Sequence, residues 1–174
     1  MSGQADYPFA LWMPAHPTNY EQGRPAAEYT TIIVDHCTDG HASAQNVGLM
    51  WQGADHKSSA HFCVGQDGTV VQSVRLTDTA WHAHSANRCS IGIEHCARTP
   101  GEFGPEDPGL LPTDAMYESS ARLHIWLCQM LHLVPTRKVI LGHAEADPKT
   151  THTKCPLGCG WDWDRLMGLV LAGY

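Results

Sequence analysis

The residues best suited to chemistry are two histidines and a cysteine far apart in the chain. His36 closes the apolar run TTIIVD, His143 follows KVIL by a single glycine, and Cys155 lies in GHAEADPKTTHTKCP, residues 142–156. Imidazole and thiolate are zinc donors, and a catalytic zinc takes three protein ligands with a fourth position left open. Strand ends are rigid and can hold two histidines convergent, and the loop before Cys155 is long enough to fold back over them. A thiol in such a place is deprotonated by the metal itself. Spacing alone leaves a second reading open, in which the histidines are polar strand caps and Cys155 is a buried thiol.

Glu94 favours the metal reading. It sits in SIGIEHC, residues 90–96, where an unpaired carboxylate is expensive to bury. Alternation puts Ile91, Ile93 and His95 on one face of a strand and Gly92 and Glu94 on the other. A glycine beside a carboxylate leaves room for a ligand, and a carboxylate next to a metal-activated water is the usual base for hydrolysis. The alternative is a salt-bridged glutamate at a sheet edge.

The elements that must position these groups are legible in outline. TTIIVD (30–35), SIGIEHC and KVILG (138–142) read as buried strands. AHFCVGQDGTVVQSV reads as a hairpin turning on Gln66-Asp67-Gly68. Residues 42–52 form a short helix with Val47, Met50 and Trp51 on one side. From Thr113 or Asp114, apolar positions recur through Met116, Leu123, Leu127 and Leu131, giving a helix of about twenty residues stopped by Pro135. Residues 99–113 read as a loop, and WDWDRLMGLVLAG as a closing helix begun by Trp161 and Trp163. Strand and helix alternate only in part, which predicts an α/β fold with a central mixed β-sheet flanked by helices. The whole of 1–174 reads as one domain, with 1–29 an irregular lead-in.

Composition bounds the function. A chain of 174 residues buries about 70% of its unfolded surface without staples, and 43% apolar against 17% charged residues describes an ordinary globule. A net charge of −7 argues against a nucleic-acid binder and gives no help towards an anionic surface. The seven cysteines are an odd count without scaffold spacing, which points to folding in a reducing compartment. MSGQADYPFALWMP has no basic n-region or apolar h-region, so no Sec signal is visible, and no run is long enough for a membrane span.

IIVDHCT, SSAHFCVGQDGTVVQSV, TAWHAHSANRCSIGIEHCA and GHAEADPKTTHTKCP…WDWDRL resemble, in the same order, the zinc-dependent type 2 N-acetylmuramoyl-L-alanine amidases. That family includes phage endolysins, cytosolic recycling amidases and peptidoglycan recognition proteins, and the resemblance covers about 30–168. It implies one zinc per chain on His36, His143 and Cys155, with Glu94 as the catalytic carboxylate. Thr153 falls at the oxyanion-stabilising position, where members of the family carry lysine or threonine; Lys154 is shifted by one residue from the lysine-bearing branch and is left as a helper. Ala60 stands where short phage amidases have a tyrosine. His82 is a substrate contact by the same resemblance. Trp81 either stacks on substrate or packs under its loop, and Asn87 lies beside the expected cleft. His61 is expected to make an internal hydrogen bond, while His41, His56, His95, His124 and His132 have no assignable partner.

The implied activity is cleavage of the bond between N-acetylmuramic acid and L-alanine in peptidoglycan, as a monomeric phage or prophage endolysin released from the cytoplasm by a holin. A recycling amidase that stays in the cytoplasm and a secreted antibacterial effector remain open. A peptidoglycan recognition module is the non-enzymatic alternative, set against the retained cysteine and histidines.

Overall fold

The computed structural model describes residues 3–24, 30–40 and 43–174. Its elements are β1 (Leu11–Trp12), β2 (Tyr20–Glu21), β3 (Ile32–Cys37), α1 (Ala44–Gln52), β4 (Phe62–Val64), β5 (Val70–Gln72), β6 (Thr79–Ala80), β7 (Ser90–His95), α2 (Asp114–Met130), β8 (Ile140–Gly142), α3 (His143–Ala146) and α4 (Trp163–Gly173). Six strands form one sheet in the order β1-β5-β4-β7-β3-β8, while β2 and β6 pair separately. Within the large sheet only β4 and β5 run antiparallel. The expectation of a mixed sheet flanked by helices holds.

Register gives the two faces different jobs. β3 pairs β7 in parallel, with Ile33 beside Ile91, Asp35 beside Ile93, Val34 beside Gly92 and His36 beside Glu94. Alternation then sends Ile33, Asp35, Ile91, Ile93 and His95 to one face. α2 covers that face: Ser120 Oγ lies 2.9 Å from His95 Nε2, and His124 Nε2 lies 3.2 Å from Asp35 Oδ1. Both histidines are therefore buried core residues with partners inside the protein. The opposite face carries His36, Gly92 and Glu94. α1 packs over its β4–β5 end, where a Cβ on Gly48 would sit 3.1 Å from Val71, and residues 81–89 cover Val34 with Ala83 and Ala86.

Local chemistry explains several of the element ends. Ser43, Thr113 and Asp162 each accept a backbone N–H as N-caps of α1, α2 and α4. The hairpin turns at Gly68, with φ 81° and the Asp67 carboxylate taking the Thr69 amide and hydroxyl.

Several expectations need correction. α2 has 17 residues and ends well before Pro135. His132 adopts φ 54°, its N–H reaches Gln129 O and the Leu133 N–H reaches Cys128 O at 2.8 Å, which is a Schellman stop with histidine in the left-handed position. α4 begins at Trp163; Trp161 precedes it and stacks on Tyr117. The lead-in is not wholly irregular, since β1 extends the large sheet, β2 pairs β6, and Tyr7 is buried in the core. His41 and residues 25–29 lie outside the described residues.

Candidate metal centre and active site

β3 and β7 bring the first two groups together. Parallel pairing sets His36 and Glu94 side by side on the same face, about 5 Å apart across the ladder. β8 runs beside β3 and passes straight into α3, whose first residue is His143. The His36 and His143 rings lie 4.6 Å apart between centroids.

Cys155 reaches them because the loop is tied down at its base. The Ala144 N–H donates to Cys155 O at 3.2 Å, and the Cys155 N–H donates to His152 O at 3.0 Å. The Cys37 N–H donates to Cys155 Sγ at 3.4 Å. Gly142 permits this approach, since a Cβ there would stand 2.7 Å from Pro156 Cδ. As a result, one ligand atom from each of His36, His143 and Cys155 lies within 4.8 Å of the others.

These residues edge a cleft of about 290 Å³, together with Glu94, Trp81 and His82. Val47, Met50 and Trp51 of α1 form its apolar side, with Ser58, Ser59 and Thr38 also exposed to it. The sequence placed those three α1 residues on one helix face but did not foresee that the face borders the site. His152 stacks on His143 at 5.5 Å and lines the cleft as well.

The electrostatics suit a cation. Burial, then the neighbouring His82 and His143, holds His36 well below the ordinary histidine value. Burial, then His152, lowers His143 to about 4. Both rings are thus neutral and keep a lone pair to offer. Burial raises Glu94 to about 8, with Cys37 and Asp39 adding to the effect, and its Oε2 is enclosed without a hydrogen-bond partner. Hydrogen bonds from the Cys155 and Cys159 thiols draw Cys37 down, and the same contact with Cys37, then burial, pushes Cys155 up. Two neutral imidazoles, a thiol and an orphaned carboxylate fit a divalent ion, which would satisfy the carboxylate's charge and ionise the thiol.

Other expected site residues fall elsewhere. Thr153 and Lys154 are exposed and line a neighbouring hollow with Asp39, Thr99 and Glu102. That hollow shares Cys37, His152 and Cys155 with the cleft. Asn87, expected as a substrate contact, spends its Oδ1 on the backbone N–H groups of His82 and Ala83, at 2.9 and 2.6 Å. It shapes the loop that carries His82. Gly92 does leave room, but for His82: a Cβ on Gly92 would lie 2.6 Å from the His82 ring. His61 accepts the Gly92 N–H at 3.0 Å, the kind of internal bond expected of it.

Two partners of the candidate ligands were not foreseen. The Cys37 thiol contacts Cys155, and its only sequence signal is adjacency to His36. Asp147 Oδ2 stands 3.9 Å from His143 Nε2 and 2.7 Å from His84 Nδ1, a geometry that only the turn of α3 creates.

The sequence profile of the type 2 N-acetylmuramoyl-L-alanine amidase family matches residues 25–158. The chain belongs to that family, and it is an enzyme of the amidase class. N-acetylmuramoyl-L-alanine amidase A of Achromobacter lyticus is 30% identical over 156 residues, covering 79% of this chain and 81% of that protein. The 1,6-anhydro-N-acetylmuramyl-L-alanine amidase AmpD of Haemophilus influenzae is 32% identical over 120 residues, covering 64% of this chain and 58% of that protein. Among solved structures, an AmpD crystal structure superimposes with a TM-score of 0.72 at 25% identity, covering 97% of this chain and 99% of the other. The catalytic domain of XlyA shares the fold, with a TM-score of 0.68 at 21% identity, over 92% of this chain and 98% of the other.

Proposed function

We propose that this protein is a zinc-dependent hydrolase of the amide bond between the lactyl group of N-acetylmuramic acid and L-alanine in peptidoglycan. The observation that carries this reading is the convergence of His36, His143 and Cys155 within 4.8 Å beside the enclosed, unpartnered Oε2 of Glu94. In this reading those three residues hold one zinc ion per chain. Zinc, when bound, acts as a Lewis acid and makes water acidic enough to react near pH 7.

The chain's own residues supply the rest. Glu94 accepts a proton from the attacking water and passes it to the departing amine of L-alanine, so the products are a free lactyl carboxylate and a peptide amine. Trp81 and the α1 side of the cleft hold the sugar–peptide junction through apolar contact. Thr153, with Lys154 beside it, donates to the developing oxyanion once substrate draws the exposed loop over the cleft. The chain acts as a monomeric catalytic domain spanning 1–174, in the setting of a phage or prophage endolysin reaching the wall after holin-type release. A second reading, a recycling amidase for soluble anhydromuropeptides, is favoured by the likeness to AmpD along nearly the whole chain.

The test is incubation with purified sacculi, reading freed L-alanine amines with zinc, with chelator, and after zinc is restored. Amine release that chelator abolishes and zinc restores is expected. No release from zinc-loaded protein would overturn the reading in favour of a recognition module. Faster cleavage of soluble anhydromuropeptides than of sacculi would assign the recycling role.

A further inference from the structure

A line of hydrogen bonds leads from the candidate ligand His36 into the protein. His36 Nε2 lies 2.9 Å from His82 Nδ1. His82 Nε2 lies 3.1 Å from Ser90 Oγ, and Ser90 Oγ lies 2.6 Å from the carbonyl oxygen of Ala86. The two rings meet edge to face, 5.0 Å apart and at 87°. The last link sets the direction of all the others. A carbonyl can only accept, so the hydroxyl proton of Ser90 points at Ala86. Ser90 Oγ then has only lone pairs left for His82, whose Nε2 must carry the proton. In a neutral imidazole the other nitrogen is bare, so His82 Nδ1 accepts from His36 Nε2–H. His36 is left with its lone pair on Nδ1.

From this geometry we infer that His82 is a positioning residue: backed by Ser90, it holds His36 as the Nε2–H tautomer and so presents Nδ1 to the metal. The inference rests on the zinc reading for its purpose but not for its geometry. The surrounding structure keeps the relay in place. Asn87 clamps the His82 and Ala83 amides. Gly92 provides the space that the His82 ring fills, since any larger residue would meet that ring at 2.6 Å. Ser90 and Gly92 both belong to β7, the strand that carries Glu94. One strand thereby sets the expected base directly and one ligand's protonation through His82. His143 is less tightly held: its Nε2 has no hydrogen-bond partner, and Asp147 Oδ2 stands off at 3.9 Å.

The test uses the full chain. Long-range proton–nitrogen NMR of metal-free, histidine-labelled protein should show His36 and His82 both protonated at Nε2. Zinc affinity, read by competition with a chromophoric chelator, should weaken about 10- to 100-fold in His82→Ala. Ser90→Ala, which touches neither ligand nor cleft, should weaken it less. His82→Gln, whose amide can accept from His36 and donate to Ser90, should recover part of the loss. Melting temperatures identify any variant that is merely misfolded, and the wild-type spectrum needs no variant at all.

An Nδ1–H proton on His36 or His82, or unchanged zinc affinity in both alanine variants, would overturn the relay. Wild-type protein showing the expected tautomers but binding no zinc would sink the metal reading and leave the relay supported. Zinc binding with His36 in the other tautomer would do the reverse.

Discussion

The two walls of the cleft are built differently. His36 and Glu94 stand on paired central strands, with six registered residue pairs between β3 and β7, and His82 locks onto one of them from a clamped loop. The facing wall is the 151–155 loop, where residues 151–154 are all exposed and only Cys155 is drawn inward. A ladder fixes every side chain on it, because slipping the register by one residue would turn His36 and Glu94 to the opposite face. A loop tied at its base fixes only the residue at the tie. Apart from Cys155, fixed at that tie, the groups that must be placed to a fraction of an ångström are on the first wall, and those that can close on substrate are on the second.

The sharpest challenge to this comparison is Glu94→Gln. Loss of the base should lower amine release about 10²- to 10⁴-fold, with zinc content unchanged. Stability should be equal or higher, because an enclosed carboxylate without a partner is removed. Near-normal turnover would mean that the rigid wall does not carry the base.

Thr153→Ala tests the loop. If the hydroxyl swings over to assist the oxyanion, kcat should fall about 10²-fold, less than for Glu94→Gln, with the metal-free melting temperature unchanged because the side chain is exposed. Thr153→Ser should keep most of the rate. Lys154→Ala, at the neighbouring position, should cost under about tenfold, the loss expected of a helper rather than a principal donor.

Acid separates the walls thermodynamically. Burial holds His61 beneath the rigid wall well below 6.5, as it does His36. The unfolded chain therefore binds protons that the folded one refuses, and stability present above about pH 6.5 drains away as pH falls below it. The slope is at most about 1.4 kcal/mol per pH unit for each such histidine. His124 runs the other way: burial lowers it, but Asp35 more than compensates, so its folded value is raised. Its contribution is complete below its ordinary value and fades as pH rises through the raised one. Denaturant melts of metal-free protein at pH 5, 6 and 7 should show a net loss towards acid, and His61→Gln should flatten it.

Asn87→Ala is the mildest probe. Leaving the His82 and Ala83 amides without their acceptor should cost about 1–3 kcal/mol in a denaturant melt. It should also loosen zinc binding slightly, through His82.

Much of this protein is legible in its sequence. The apolar runs around His36, Glu94 and Gly142 announced strands because short runs rich in β-branched residues suit a buried strand, and Asp67-Gly68 announced its turn through the φ that glycine allows. The end of α2 was not legible: His132 occupies a left-handed position usually given to glycine, and nothing in its identity says so. Asn87 looked open to substrate because nothing in its sequence marks it as the clamp of the His82 and Ala83 amides, whereas His82 does edge the cleft.

The sequence by itself determined the donor types, the strands that carry them and the alternation that puts Gly92 and Glu94 on one face of their strand, because these depend on local periodicity. The β3–β7 register, which brings His36 to that face, is tertiary. Tertiary structure decided which partner each polar group finds. His82 lands on Gly92 and His36, Cys37 meets Cys155 from 118 positions away, and Thr153 faces a neighbouring hollow. Those choices depend on how loops fold back over the sheet, and loop paths are set by long-range packing that no short stretch of sequence encodes.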